Sequence, residues 1–298
     1  MILFASGRYE AVAAELHRAL GQLTAGRFQA IRFENGELHI NLQTKVTGEH
    51  CLVLGSLAPP DDQFLSALLL AHTLKKEGAS EVTALFPYLA YARHDRAEPG
   101  RSLATAWAGS LVGASGFDQV MTIDVHSSRT NQLFPIPVIS LSPARILADA
   151  LHQYRLTGAT IIAPDEGAIA RCDAVKAAAG MPPSQTPYFE KRRTETGIMQ
   201  TGLIGQVGRQ AVLIDDILDT GGTLVSACEK LADAELEEIH IMVTHGLFTG
   251  ERWKRLPELG VKRMFCTDSA PLPDHVDVGN VVRLSIVSVI EHQLRSLA

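Results

Sequence analysis

Apolar and polar positions follow two periods in alternation along almost the whole chain. Short apolar runs of strand length are followed by stretches in which apolar residues recur every three to four positions, the pattern of a helix with one buried face. Residues 2–6 read as a strand, and 9–20 as a helix whose Val12, Leu16 and Leu20 share a face. Strands are predicted next at 27–42, with an interruption, and at 50–57. Asp61 and Asp62 start a helix carrying the stripe Phe64, Leu65, Leu68, Leu69 and Leu74, and Gly78 ends it. Strands at 81–87 and 119–125 flank a helix at 103–115. The second half repeats the pattern, with strands at 159–163, 211–214, 238–243, 262–266 and 281–284 and helices at 167–179, 221–234 and 249–256.

Such alternation predicts mainly parallel sheets covered by helices on both faces. Ten or so strands are many for one open sheet, and 298 residues are about twice the usual domain size of roughly 150. The segment 134–143, FPIPVISLSP, holds enough proline to act as a joint. The expectation is an α/β protein of two domains, 1–142 and 143–298, with the last helix free to pack back on the first domain.

Composition narrows the class. With 46% apolar and 20% charged residues the chain has an ordinary globular balance. A net charge of −6 speaks against a broad nucleic-acid footprint, because such binding rests on many Lys and Arg side chains neutralising phosphates. Any anion site must be local. The four cysteines are far apart and form no CxxC pair, which indicates neither a disulfide framework nor a zinc module. No apolar run approaches the roughly 18 residues of a membrane span, and the start, MILFASGRYE, meets Gly7 and Arg8 before a signal-length apolar core forms. The reading is a cytoplasmic protein with neither nucleic acid nor membrane as partner.

The most informative stretch is AVLIDDILDTGGTL, residues 211–224. Its apolar run reads as a buried parallel strand ending in Asp215 and Asp216, and open α/β sheets gather their chemistry at that carboxyl end. Asp219, Thr220, Gly221, Gly222 and Thr223 then form a turn into a helix. Two glycines let backbone amides face inward, hydroxyls add donors, and the helix start adds about half a positive charge. A phosphate monoester fits that turn, and adjacent carboxylates suit the vicinal hydroxyls of a ribose whose 5-phosphate sits there. The segment resembles the motif for 5-phosphoribosyl 1-diphosphate shared by phosphoribosyltransferases and ribose-phosphate diphosphokinases, and by itself does not choose between them.

Further stretches resemble the diphosphokinase family. They are RFENGE at 32–37, PYLAYARHDR at 87–96, TIDVH at 122–126, APDEG at 163–167 and EKRR at 190–193. The resemblance implies two phosphoribosyltransferase-like domains, each a mainly parallel sheet flanked by helices. It implies transfer of the diphosphoryl group of ATP to the 1-hydroxyl of ribose 5-phosphate, giving AMP. Phe33, Asn35, Glu37, Arg93, His94 and Arg96 would then hold ATP. Asp215, Asp216, Asp219, Thr220, Gly221, Gly222 and Thr223 would hold ribose 5-phosphate. His126 and Asp165 would lie beside Mg2+, and Lys191 and Arg193, on a mobile loop, would be the catalytic cations. A homo-oligomer, dimer or hexamer, is implied because a neighbouring subunit completes the nucleotide pocket in that family.

The chain departs from the family pattern in three places. Asn35 stands where an aspartate usually receives the adenine amino group, His94 replaces a glutamine, and Thr194-Glu195 replace Pro-Arg after the basic cluster. The alternatives are a regulatory homologue with weak turnover, or a phosphoribosyltransferase.

Overall fold

The computed structural model describes residues 1–194, 197–231, 236–273, 276 and 278–296; the side chains of residues 191–201 and 278 are outside that description. Two compact units result, one of residues 1–142 with 287–298 and the other of residues 143–286.

In the first unit the chain runs β1 (Ile2–Ala5), α1 (Glu10–Ala19), β2 (Thr24–Ala25), β3 (Phe28–Arg32), β4 (Leu38–Leu42), β5 (His50–Leu54), α2 (Asp61–Lys76), β6 (Glu81–Leu85), α3 (Ala104–Ala114), β7 (Gln119–Ile123), α4 (Thr130–Leu133) and β8 (Val138–Leu141). Six strands form one sheet in the order β2-β1-β5-β6-β7-β8, and every pairing is parallel. β3 and β4 stand apart as an antiparallel hairpin. The reason lies in their burial: β3 is exposed along most of its length, whereas Leu52, Val53 and Leu54 of β5 are buried on both faces.

The second unit holds α5 (Ala144–Gln153), β9 (Thr160–Ile162), α6 (Ile169–Ala178), β10 (Tyr188–Thr194), β11 (Gly197–Ile204), β12 (Gln210–Leu218), α7 (Gly222–Leu231), β13 (Glu238–Gly246), β14 (Val261–Thr267) and β15 (Val281–Leu284). Its five-stranded sheet has the order β15-β14-β13-β12-β9, again all parallel. Period-two alternation divides β12 between two cores. Ala211 and Leu213 pack with Leu224, Val225, Cys228 and Leu231 of α7. Val212 and Ile214 pack on the other face with Leu147 and Leu151 of α5 and Cys172 and Val175 of α6. A strand so covered needs an unbroken apolar run, which is why 211–214 lacks the polar alternation of a half-buried strand. The last helix, α8 (Val287–Arg295), belongs to the first unit, where Arg295 Nη2 donates to Ala19 O at 2.9 Å.

The fold is α/β with two mainly parallel sheets flanked by helices, as the alternation predicts. Four local expectations change. Residues 249–256 do not form an α-helix; Arg252–Arg255 and Pro257–Leu259 are 3-10 turns. Buried Trp253 and Leu256 are three residues apart, the spacing that a 3-10 turn brings onto one side. Within the proline-rich segment 134–143, Val138–Leu141 is an edge strand, and Pro135 and Pro137 precede it where no ladder donor is required. The interrupted strand at 27–42 is the β3–β4 hairpin. The loop assigned to Lys191 and Arg193 is the antiparallel pair β10–β11, in which Lys191 is opposite Gln200 and Arg193 opposite Ile198. Its basic and threonine-rich sequence has no apolar alternation to announce a hairpin.

Leu213 is wholly buried on an inner strand of the second unit's sheet, between β9 and β13. Leu213→Ala is expected to cost about 2–5 kcal/mol through lost burial and a residual cavity, read as a lower urea midpoint for that unit; an unchanged midpoint would contradict the two-sided core.

Candidate functional site

In each unit the chemistry-bearing segments lie just beyond the carboxyl ends of parallel strands. β6 and β7 are neighbours, with Leu85 beside Met121, so PYLAYARHDR and TIDVH leave the sheet side by side. Backbone bonds join them there, since Ile123 N donates to Pro87 O at 3.1 Å and Phe86 N to Met121 O at 2.9 Å. Arg93, His94, Arg96 and His126 are all at least partly exposed. Tyr91 and Asp124 hold positive φ of 67° and 47°, and such strain in non-glycine residues persists where the surroundings over-determine the backbone, as at binding sites.

RFENGE forms the turn of the β3–β4 hairpin. Phe33 N donates to Glu37 O at 2.9 Å, and Asn35 Oδ1 accepts from Glu37 N at 3.1 Å. Part of the acceptor capacity of Asn35 is therefore spent on its own turn. Glu37 is exposed, and Phe33 is 52% exposed, which rules out a core role for that ring. Arg32 pairs with Asp62 at 2.9 Å in the first turn of α2, and α2 starts beyond the carboxyl end of β5. The turn is thereby anchored at the same edge as the other two segments.

In the second unit Asp165 comes just after β9, while Asp215, Asp216 and Asp219 lie near the end of β12, its sheet neighbour. Asp165 caps the turn after β9, accepting from Ala168 N at 3.2 Å. The β10–β11 hairpin springs from the same edge, because Ala163 N donates to Pro187 O at 2.9 Å and Tyr188 bridges Ala163. Lys191 and Arg193 thus lie on a strand that starts beside the end of β9; their side chains are outside the described residues.

The acidic pair is electrostatically costly. Asp216 is buried and Asp215 retains 15% side-chain exposure. Burial, and then the neighbouring Asp216 charge, push the Asp215 carboxyl well above its ordinary range. Arg171 opposes that rise from 3.9 Å to Asp215 and 3.8 Å to Asp216. Sequence reading passed over Arg171. The available signal was a cation in the first turn of α6, which runs against the helix macrodipole and so calls for an anion nearby.

The loop 219–223 leans on residues 247–253. Leu247 N and Phe248 N donate to Leu218 O at 2.8 and 3.1 Å, and Thr249 N to Asp219 O at 3.1 Å. The Thr249 hydroxyl donates to the Asp219 carboxylate. Gly221 has φ of 82°, and a Cβ there would lie 2.8 Å from Trp253 Cα. Both the left-handed backbone and the wall behind it demand glycine. Gly222 opens α7, whose first amides lack helical acceptors, and Thr220 is exposed with Thr223 half-buried at this mouth. No sequence signal links Thr249 or Trp253 to a loop some thirty residues earlier.

Residues 1–116 match the family model described as the N-terminal domain of ribose phosphate pyrophosphokinase, and 130–273 match the phosphoribosyl transferase domain. A ribose-phosphate pyrophosphokinase of Maricaulis maris is 30% identical over 282 residues, covering 93% of this chain and 89% of the relative. The chain belongs to the ribose-phosphate pyrophosphokinase family. A relative of the same name from Bacillus caldolyticus is 29% identical over 296 residues, 97% of this chain and 91% of the relative. The crystal structure of phosphoribosylpyrophosphate synthetase from Mycobacterium smegmatis shares the fold, with a TM-score of 0.87 at 24% identity over 99% of this chain and 98% of that one. Among the described residues no helix is long and apolar enough to cross a membrane.

Two outcomes test the geometry. Gly221→Ala is expected to lower stability by about 1–2 kcal/mol from the left-handed backbone alone, with the Trp253 contact adding to it; a melting curve checks it, and an unchanged melting temperature would contradict it. Asp215→Asn is expected to raise the melting temperature at pH 7. The raised carboxyl favours its protonated form in the fold, so the ionised form costs stability at neutral pH. That cost vanishes below about pH 4, where folded and unfolded states are both protonated. The gain should therefore shrink as pH falls toward 4, and a lower melting temperature at pH 7 would contradict the buried-charge argument.

Proposed function

We propose that this chain is a ribose-phosphate diphosphokinase, transferring the diphosphoryl group of ATP to the 1-hydroxyl of ribose 5-phosphate to give 5-phosphoribosyl 1-diphosphate and AMP. The observation that carries the reading is the end of β12, two carboxylates and then a glycine turn that opens a helix, in a chain whose other half matches the pyrophosphokinase N-terminal domain.

The ribose side is built on that geometry. Asp215 and Asp216 accept from the ribose 2- and 3-hydroxyls, and this donation offsets the burial and the repulsion that hold the Asp215 carboxyl up. The 219–223 loop offers amides and threonine hydroxyls to the 5-phosphate. Arg171, 3.9 Å from Asp215 and 3.8 Å from Asp216, offsets part of the pair's charge and so favours the ionised, accepting form against the burial that opposes it. On the ATP side, exposed Phe33 offers a ring to the purine, Asn35 and Glu37 offer polar contacts from the turn, and Arg93, His94 and Arg96 serve the polyphosphate. The residues of the first unit serve ATP and those of the second serve the pentose.

Transfer in line between two oxygens asks mainly for alignment and charge neutralisation. Lys191 and Arg193 supply fixed positive charge to the transferring group and the leaving AMP. Mg2+ suits the donor chemistry in part, because Asp165 offers the carboxylate oxygen that this ion prefers while His126 offers a weaker nitrogen contact. When bound, the ion would neutralise phosphate charge. A homo-oligomer, dimer or hexamer, and a cytoplasmic setting complete the reading.

Pure protein given ATP, Mg2+ and ribose 5-phosphate should release AMP, with none when ribose 5-phosphate is omitted. Lys191→Ala should lower kcat at least about 10²-fold, the scale of a charge contact made in the transition state. An unchanged kcat would remove Lys191 from the mechanism. Nucleotide binding without AMP release would mark a binding homologue instead, a reading favoured by Thr194-Glu195 after the basic cluster.

A further inference from the structure

The phosphate loop has a cationic neighbour outside its own motif. A methyl group on Gly222 would lie 3.3 Å from Arg252 Nη1 and 3.8 Å from Thr220 Oγ1. The side-chain position that this first helical residue leaves empty is bordered by a loop hydroxyl and by a guanidinium. Arg252 opens the 3-10 turn Arg252–Arg255, and the anchoring of Trp253 fixes its backbone. Trp253 is buried, its backbone is packed behind Gly221, and its indole N–H donates to Gly250 O at 3.1 Å. The Arg252 side chain itself is exposed.

The charges around it are arranged unevenly. Lys254 pairs with Glu251 at 2.6 Å, and Arg255 with Glu229 at 2.9 Å. Among the described residues Arg252 has no carboxylate partner. The carboxylate of Asp219, in the loop itself, is engaged by the Thr249 hydroxyl. A guanidinium beside the first turn of α7 also opposes the positive end of the helix dipole, so its position is unfavourable in the ligand-free fold. An anion in the loop is attracted by both the guanidinium and the helix start and so outweighs their mutual repulsion, and local conflicts of this kind mark functional positions.

We propose that Arg252 is a phosphate-binding residue that closes the loop over the 5-phosphate of the pentose substrate. The proposal rests on assigning ribose 5-phosphate to the 219–223 loop. The planar guanidinium presents paired N–H donors to two phosphate oxygens, a geometry that backbone amides of the loop do not duplicate. The 5-phosphate is remote from the reacting 1-hydroxyl, so this contact is made equally in the ground and transition states. Its loss falls on substrate affinity more than on turnover.

The test is titration calorimetry of ribose 5-phosphate into the intact protein and its Arg252→Ala, Arg252→Gln and Arg252→Lys variants, alongside AMP-release kinetics. Loss of one charge-assisted contact should raise Kd and KM for ribose 5-phosphate about tenfold in the Ala and Gln variants. The Lys variant should recover part of the affinity, KM for ATP should stay within about twofold, and the difference should narrow as salt rises. Equal ribose 5-phosphate affinity in all four proteins would overturn the assignment, as would a matching loss of ATP affinity. If the unaltered protein binds ribose 5-phosphate but forms no AMP, the proposed reaction fails while the Arg252 comparison still decides this inference. If it forms AMP and the variants bind equally, only the role of Arg252 falls.

Discussion

Two-sided burial of parallel strands is the constraint on which the rest of this molecule depends. Once Ala211 and Leu213 pack on α7 while Val212 and Ile214 pack on α5 and α6, β12 has no face on which to carry polar groups. Polar chemistry is displaced to the strand ends, and the parallel arrangement puts those ends on one edge. Asp165, the acidic pair and the base of the β10–β11 hairpin meet at that edge because β9 and β12 are adjacent and in register. The first unit obeys the same rule, with the segments after β6 and β7 joined by backbone hydrogen bonds.

The edge of the second unit carries an electrostatic conflict. Two adjacent carboxylates repel each other, and burial raises the cost of their charge. Arg171 relieves only part of it, across 3.8 and 3.9 Å. A few residues on, the loop gathers positive potential from helix amides and from Arg252. The proposed pentose phosphate, with vicinal hydroxyls at one end and a dianion at the other, would answer both.

Legibility in the sequence tracked the range of the forces involved. The strand 211–214, the acidic pair, the glycine turn and α7 were readable together, because buried strands demand apolar runs and tight anion loops demand glycine within a few residues of each other. The β10–β11 hairpin was not readable, since its cohesion lies in cross-strand backbone bonds that residue types such as Lys191 and Arg193 do not announce. The stretch 249–256 has helical composition, yet buried Trp253 and Leu256 sit three residues apart and the chain forms a 3-10 turn there, with Trp253 packed behind Gly221.

The amino-acid sequence by itself determined the α/β class, the positions of most strands and helices, and the place of the acidic pair and the glycine turn at the end of β12. Those properties arise from periodicity and local conformational preference, which a run of neighbouring residues carries. Tertiary structure alone decided that Arg171 faces the acidic pair, that Thr249 grips Asp219, and that Arg252 stands over Gly222. Each of these joins residues tens of positions apart, and only strand order and loop path set such distances.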